Sequence, residues 1–159
     1  MNLSEKMLVC NEPLILLYPG RSIISGLIRW QTRSQYSHAA VAWGKDLILE
    51  AVEGQGVIQR KILPIDETAD VYRVNHYMRE HEWAAALKFG QTQIGKGYDY
   101  RAVLRFVSRR AADENDKWFC SELVFAMLQA GEVSLLSRIE AANVSPALLS
   151  FSSSLKKVN

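Results

Sequence analysis

Cys120, His38 and Glu50 are the residues whose types and settings could do chemistry together. Residues 115–131 pattern as a helix, with Asp116 as N-cap and Gly131 just past the C-terminus. Leu123, Val124, Met127 and Leu128 recur at helical spacing, and Cys120 heads that apolar stripe in the first turn. The positive end of a helix dipole favours the thiolate, the nucleophilic form of cysteine. A cysteine on an apolar stripe also suits plain packing, so the helix alone leaves its role open. Nucleophilic catalysis needs two more groups: a base within hydrogen-bond reach and a residue that orients the base. Histidine suits the first role because it titrates near neutrality. His38 opens the otherwise apolar strand 36–43, and Glu50 lies in a second apolar run, 47–52. A carboxylate there needs a partner, since burying an unpaired one is costly. His76 and His81 sit in polar company and read as surface residues.

The elements that must position these groups come next. The runs 36–43 and 47–52 flank Gly44-Lys45-Asp46 and read as a β-hairpin. A three-residue loop makes paired positions sum to 90. Ala40 then faces Glu50, and Glu50 becomes a same-face diagonal neighbour of His38. A two-residue loop would turn Glu50 away and leave Glu53 as the candidate. We prefer Glu50, because Glu53-Gly54-Gln55-Gly56 has turn composition. The His38 face also carries Ala40 and Ala42, small enough to let a helix approach closely.

Leu14–Tyr18, Val57–Leu63 and Asp70–Val74 are further strands, and 22–31 is a short helix. Successive strands without long helices between them indicate an antiparallel or meandering sheet. The second half turns helical, at 80–94, 99–112 and 132–140, with a Ser145-capped turn led by Pro146. Arg101, Arg105 and Arg109 lie four apart and read as a solvated flank, with an anionic-headgroup site as the minority reading. The serine-rich tail from Ser152 reads as frayed.

Length and composition bound the function. The 159 residues suit one domain, 1–159, and 48% apolar with 23% charged residues are globular values. A net charge of +2 gives no argument for a nucleic-acid partner. The two cysteines, Cys10 and Cys120, match no zinc spacing, and no metal or cofactor is called for. The N-terminus lacks a secretory pattern, and Pro13–Tyr18 is too short to span a membrane, so a reducing, cytoplasmic setting is expected. Membrane contact and oligomeric state stay open.

Tyr36-Ser37-His38-Ala39-Ala40-Val41, Leu49-Glu50-Ala51, Gly56-Val57, Gly97-Tyr98-Asp99 and Phe119-Cys120-Ser121-Glu122-Leu123-Val124, in this order, resemble the circularly permuted branch of the NlpC-type papain-like superfamily, the YiiX/YaeF-like proteins. Lecithin:retinol acyltransferase is a more distant relative. In the permuted branch the histidine strand precedes the cysteine helix, as here. The resemblance covers about 12–150. It implies an α+β papain-like fold, an antiparallel sheet packed against helices, with Cys120 as nucleophile, His38 as base and acid, and Glu50 as orienting residue. Two departures are visible. Asn11-Glu12-Pro13 stands where the family often has Gly-Asp, and Ala39-Ala40 where it has a β-branched residue and glycine. Tyr36 and Tyr98 are candidates for lining a cleft, with core aromatics carrying a polar tip as the equal alternative. The activity implied is a cysteine hydrolase or amidase on a peptide, acyl-amide or lipid-like substrate. An acyltransferase and a non-catalytic binding module on the same fold are the competing readings.

Overall fold

The computed structural model describes residues 2–10, 12–19, 35–102, 117–137 and 139–158. The chain begins with helix α1 (Leu3–Cys10) and strand β1 (Leu14–Pro19). Strands β2 (Tyr36–Trp43), β3 (Leu47–Val52), β4 (Gly56–Lys61) and β5 (Asp70–Val74) follow, with a 3-10 turn, Pro64–Thr68, before β5. Helix α2 (Glu80–Thr92), the short strands β6 (Gly97–Tyr98) and β7 (Lys117–Trp118), helix α3 (Cys120–Ala130), helix α4 (Pro146–Ser150) and strand β8 (Leu155–Lys157) complete it. Six strands form one sheet in the order β4-β3-β2-β1-β5-β8, every pair antiparallel. β6 and β7 pair in parallel beside it.

Alternation along the strands divides the core in two. Ile15, Leu17, Ala39, Val41, Leu49 and Ala51 pack with Leu123, Val124, Met127 and Leu128 of α3. Leu14, Leu16, Tyr18, Ala40, Ala42 and Ile48 point the other way and pack with Leu3 and Val71. Each fully buried leucine or isoleucine among these contributes on the order of 2 kcal/mol by leaving water. The expectation that α3 approaches the small face of His38, Ala40 and Ala42 is therefore corrected. The helix docks on Ala39, Val41 and Trp43, and the alanine face lies under β1 side chains and Leu3.

Two glycines let α2 and α3 come close. A Cβ on Gly131 would stand 2.7 Å from the Glu82 carbonyl oxygen, and one on Gly90 would meet Met127 at 2.6 Å. At the other end of α2, Gly56 is held at φ +77, and a Cβ there would lie 2.2 Å from the Lys96 carbonyl oxygen. That carbonyl accepts the Val57 N–H at 2.8 Å, and Gly95 N–H returns to Val57 O at 2.9 Å. These bonds tie the start of β4 to the segment leading into Tyr98.

Two further expectations change. Residues 132–137, read as helix, are irregular, and Ala141–Asn143 form a 3-10 turn beyond them. Glu132 takes φ 62, which ends helical progress, and the Leu135 and Ser134 carbonyls are instead capped by the Ser152 and Ser154 hydroxyls at 2.5 and 2.8 Å. The same bonds order the tail expected to fray: Leu155–Lys157 pairs with β5 as an edge strand. Ser145 caps α4 as expected, accepting the Leu148 N–H at 3.2 Å. The helix expected at 22–31, Asp116, Arg105 and Arg109 lie outside the described residues. Of the helix at 99–112, only its start is described, with Asp99 accepting the N–H groups of Arg101 and Ala102.

Candidate active site

Cys120 is the first residue of α3, preceded by Phe119 in extended conformation. Glu122 accepts the Phe119 N–H at 3.2 Å and closes the first turn. The thiol is buried, at 1% exposure. The Cys120 N–H, as the first of the helix, has no intrahelical acceptor.

The β2–β3 ladder pairs Val41 with Leu49, Ala42 with Ile48 and Trp43 with Leu47, then stops. The sums are 90, as a three-residue loop requires. His38 and Glu50 lie beyond the last pair, and there a side-chain bond joins the strands instead: His38 Nε2 to Glu50 Oε2, 2.6 Å. Glu53 stands in the exposed turn. With Nε2 bonded to Glu50, Nδ1 is the ring nitrogen that remains to face Cys120. Burial disfavours a charged His38 ring. The Cys120 charge, the hydrogen bond to it and Glu50 outweigh that and push the ring up to about 10. Burial likewise works to lift the Glu50 carboxyl, but the hydrogen bond and charge of His38, with Arg60, hold it below its ordinary value. The arrangement stabilises an imidazolium facing sulfur, with a carboxylate behind it.

Tyr98 packs against the residue that precedes Cys120. Its ring packs on Phe119 (centroids 5.9 Å) and Tyr100 (5.1 Å). Burial, then the charge on Cys120, raises its hydroxyl above the ordinary tyrosine value. Tyr36 ends elsewhere. The register of β1 and β2 shifts between Tyr18 and Pro19, and Tyr36 joins the α3-side core while His38 does not. Its hydroxyl bonds to Asp70 and, at 3.1 Å, to the Tyr72 hydroxyl. That is the core aromatic with a polar tip, the alternative left open for it.

Sequence reasoning missed what stands behind Glu50. Arg60 Nε donates to Glu50 Oε1 at 2.5 Å, and its two terminal nitrogens fork onto Asp66 at 2.7 and 2.8 Å. The signal was available in the strand register. Arg60 faces Ile48 across β3–β4, which makes it the same-face diagonal neighbour of Glu50.

Comparison with known families now decides the class. The model of the permuted papain-like amidases, the YaeF/YiiX or C92 family, matches residues 15–157. The chain belongs to this family. Its members are papain-like cysteine amidases, and the chain is accordingly a cysteine hydrolase of that type. The fold is the permuted papain-like one. The crystal structure of the metalloprotein yiiX from Escherichia coli O157:H7 superposes with a TM-score of 0.72 at 18% identity, over 94% of this chain and 96% of that one. No curated protein sequence matches the chain.

The Escherichia coli protein is described as a metalloprotein. In the present chain, no group of three or more His, Cys, Asp or Glu among the described residues is arranged to hold an ion. Around the thiol, the Glu50 oxygens are already taken by His38 and Arg60. Nor is any helix of the described residues long and apolar enough to cross a membrane.

Proposed function

We propose that this amidase cleaves a peptide or acyl-amide bond through a Cys120–His38–Glu50 triad and an acyl-enzyme intermediate. Cys120 Sγ attacks the substrate carbonyl carbon, and the Cys120 backbone N–H stabilises the developing oxyanion. His38 passes its Nδ1 proton to the leaving group as the bond to the carbonyl carbon breaks. His38 then takes a proton from water, whose oxygen attacks the thioester carbon. The acid leaves and the thiol is restored. Glu50 fixes the tautomer and orientation of the ring and stabilises its charged form, the part a carboxylate plays in serine triads. Tyr98 lines the cleft. The substrate class is a small peptide, acyl-amide or lipid-like amide, and a free thiol suits a reducing compartment such as the cytoplasm.

One observation carries this reading. A histidine bonded to a buried carboxylate on one nitrogen meets a cysteine at the first residue of a helix. Labelling with an acyl-type thiol electrophile across pH tests it. Cys120 should react faster than a free thiol below about pH 6, where free cysteine is protonated. Cys120→Ala should abolish turnover and leave the thermal midpoint little changed. A native Cys120 no faster than free thiol at low pH would overturn the triad.

A further inference from the structure

Five side chains from five successive elements close a ring behind the thiol. His38 of β2 bonds to Glu50 of β3 at 2.6 Å, and Glu50 accepts from Arg60 of β4 at 2.5 Å. Arg60 forks onto Asp66 of the 3-10 turn, and Asp66 Oδ1 accepts the Tyr18 hydroxyl of β1 at 2.7 Å. The Tyr18 ring then returns to His38, with centroids 5.4 Å apart and planes tilted by 49°. Asp66 is 0% exposed and takes a fourth donor, the Leu63 N–H, at 2.7 Å. The two oxygens of Glu50 are divided, one to the ring and one to the guanidinium.

A buried ion pair is a poor source of stability, because desolvation consumes most of its attraction. What such a network does well is fix a geometry. Arg60 has the shape for it: a planar fork that meets Asp66 on one edge leaves Nε aimed in one direction only. That direction is Glu50.

We propose that Arg60, anchored by Asp66 and Tyr18, is a positioning residue that holds the Glu50 carboxylate against His38. Arg60 meets neither Cys120 nor the ring, and acts through Glu50. This rests on reading Cys120, His38 and Glu50 as the reacting set. The charged or titratable groups around Glu50 are His38 from β2, Arg60 from β4, Asp66 and Tyr18 one step further, and Cys120 across the ring. Of these, His38 and Arg60 oppose protonation of Glu50.

The test follows the Glu50 carboxyl directly, by 13C NMR titration of glutamate-labelled full-length protein, beside kcat and KM. In Arg60→Met the Glu50 midpoint should rise by about one pH unit, as expected for loss of one adjacent cation. The kcat should fall roughly ten-fold with KM little changed, because Arg60 acts through Glu50 and not on the substrate. Arg60→Lys, which keeps the charge and loses the fork, should recover the midpoint more than the rate. An unmoved midpoint in a folded Arg60→Met protein overturns the proposal. If that variant does not fold because Asp66 is left unpaired, Arg60→Met with Asp66→Asn removes the orphan charge. The amide oxygen it introduces can keep the Leu63 N–H, while the amide nitrogen donates to the Tyr18 hydroxyl oxygen, and the same midpoint decides. The NMR titration needs no turnover, so an inert Cys120 would sink the triad while leaving this comparison readable.

Discussion

On the face of the sheet that carries Ala39 and Val41, α3 is seated by apolar side chains; around Glu50, on the opposite face, the partners are charged or hydrogen-bonded. The thiol and the ring thus reach each other from supports of different kinds. Apolar packing supplies stability in proportion to area and tolerates small shifts in angle. Charged hydrogen bonds supply little net stability and are strict about direction. The nucleophile, placed by the start of a helix, can rely on the first. The imidazole, which must present one nitrogen to sulfur, needs the second.

This division can be broken from either side. Leu123→Ala, on the packing side, should cost about 2–5 kcal/mol of stability, as leucine truncations in cores do. The alkylation rate of Cys120 per folded molecule should stay near wild type. Chemical denaturation alongside labelling reads both, and a slowed thiol in the folded variant would show the two supports to be one. Glu50→Gln, on the charged side, should lower kcat on the order of 10²-fold, the scale of acid–base catalysis, with a smaller effect on unfolding. A fall of less than about threefold would remove Glu50 as the orienting group.

The smallest effect is on pH. The His38 ring titrates higher in the folded chain, about 10 against an ordinary 6.5. Its contribution to stability is therefore complete below pH 6.5 and lost as pH rises through about 10. Glu50 and Asp66 are held low: burial opposes this, and His38 and Arg60 for the one, Arg60 and the Leu63 N–H for the other, prevail. Their contribution is present above the ordinary carboxylate range and lost on acidification. The thermal midpoint should decline on both sides, and His38→Ala should flatten the alkaline side and also soften the acid side, because Glu50 loses the ring that holds it low. An alkaline slope equally steep in that variant would assign it to another group.

Much of the site was legible because strands have a period of two. Fixing the hairpin loop at Gly44–Asp46 was enough to bring Glu50 to His38. Periodicity could not say which face of β2 the helix would choose, since Ala40 and Ala42 are as apolar as Ala39 and Val41. Nor could it foresee Asp66, whose position depends on a turn after Pro64 folding back onto β1 and β4. Residues 132–137 carry helix-forming composition, yet two of their carbonyls are satisfied by serines 17 and 20 positions on. Tail and segment order each other, and neither has a local signal.

The contact at Gly56 has a mechanical meaning. The Val57 N–H donates to the Lys96 carbonyl and the Val57 carbonyl accepts the Gly95 N–H, and these bonds link the hairpin that bears Glu50 to the stretch that bears Tyr98. No titrating group takes part, so the stitch holds its length in acid or base while the charged ring loosens. A methyl group at position 56, by contrast, would collide with the Lys96 carbonyl and force the two segments apart. The frame on which the chemistry is mounted is thus set by one hydrogen atom, at a residue that takes no part in the chemistry.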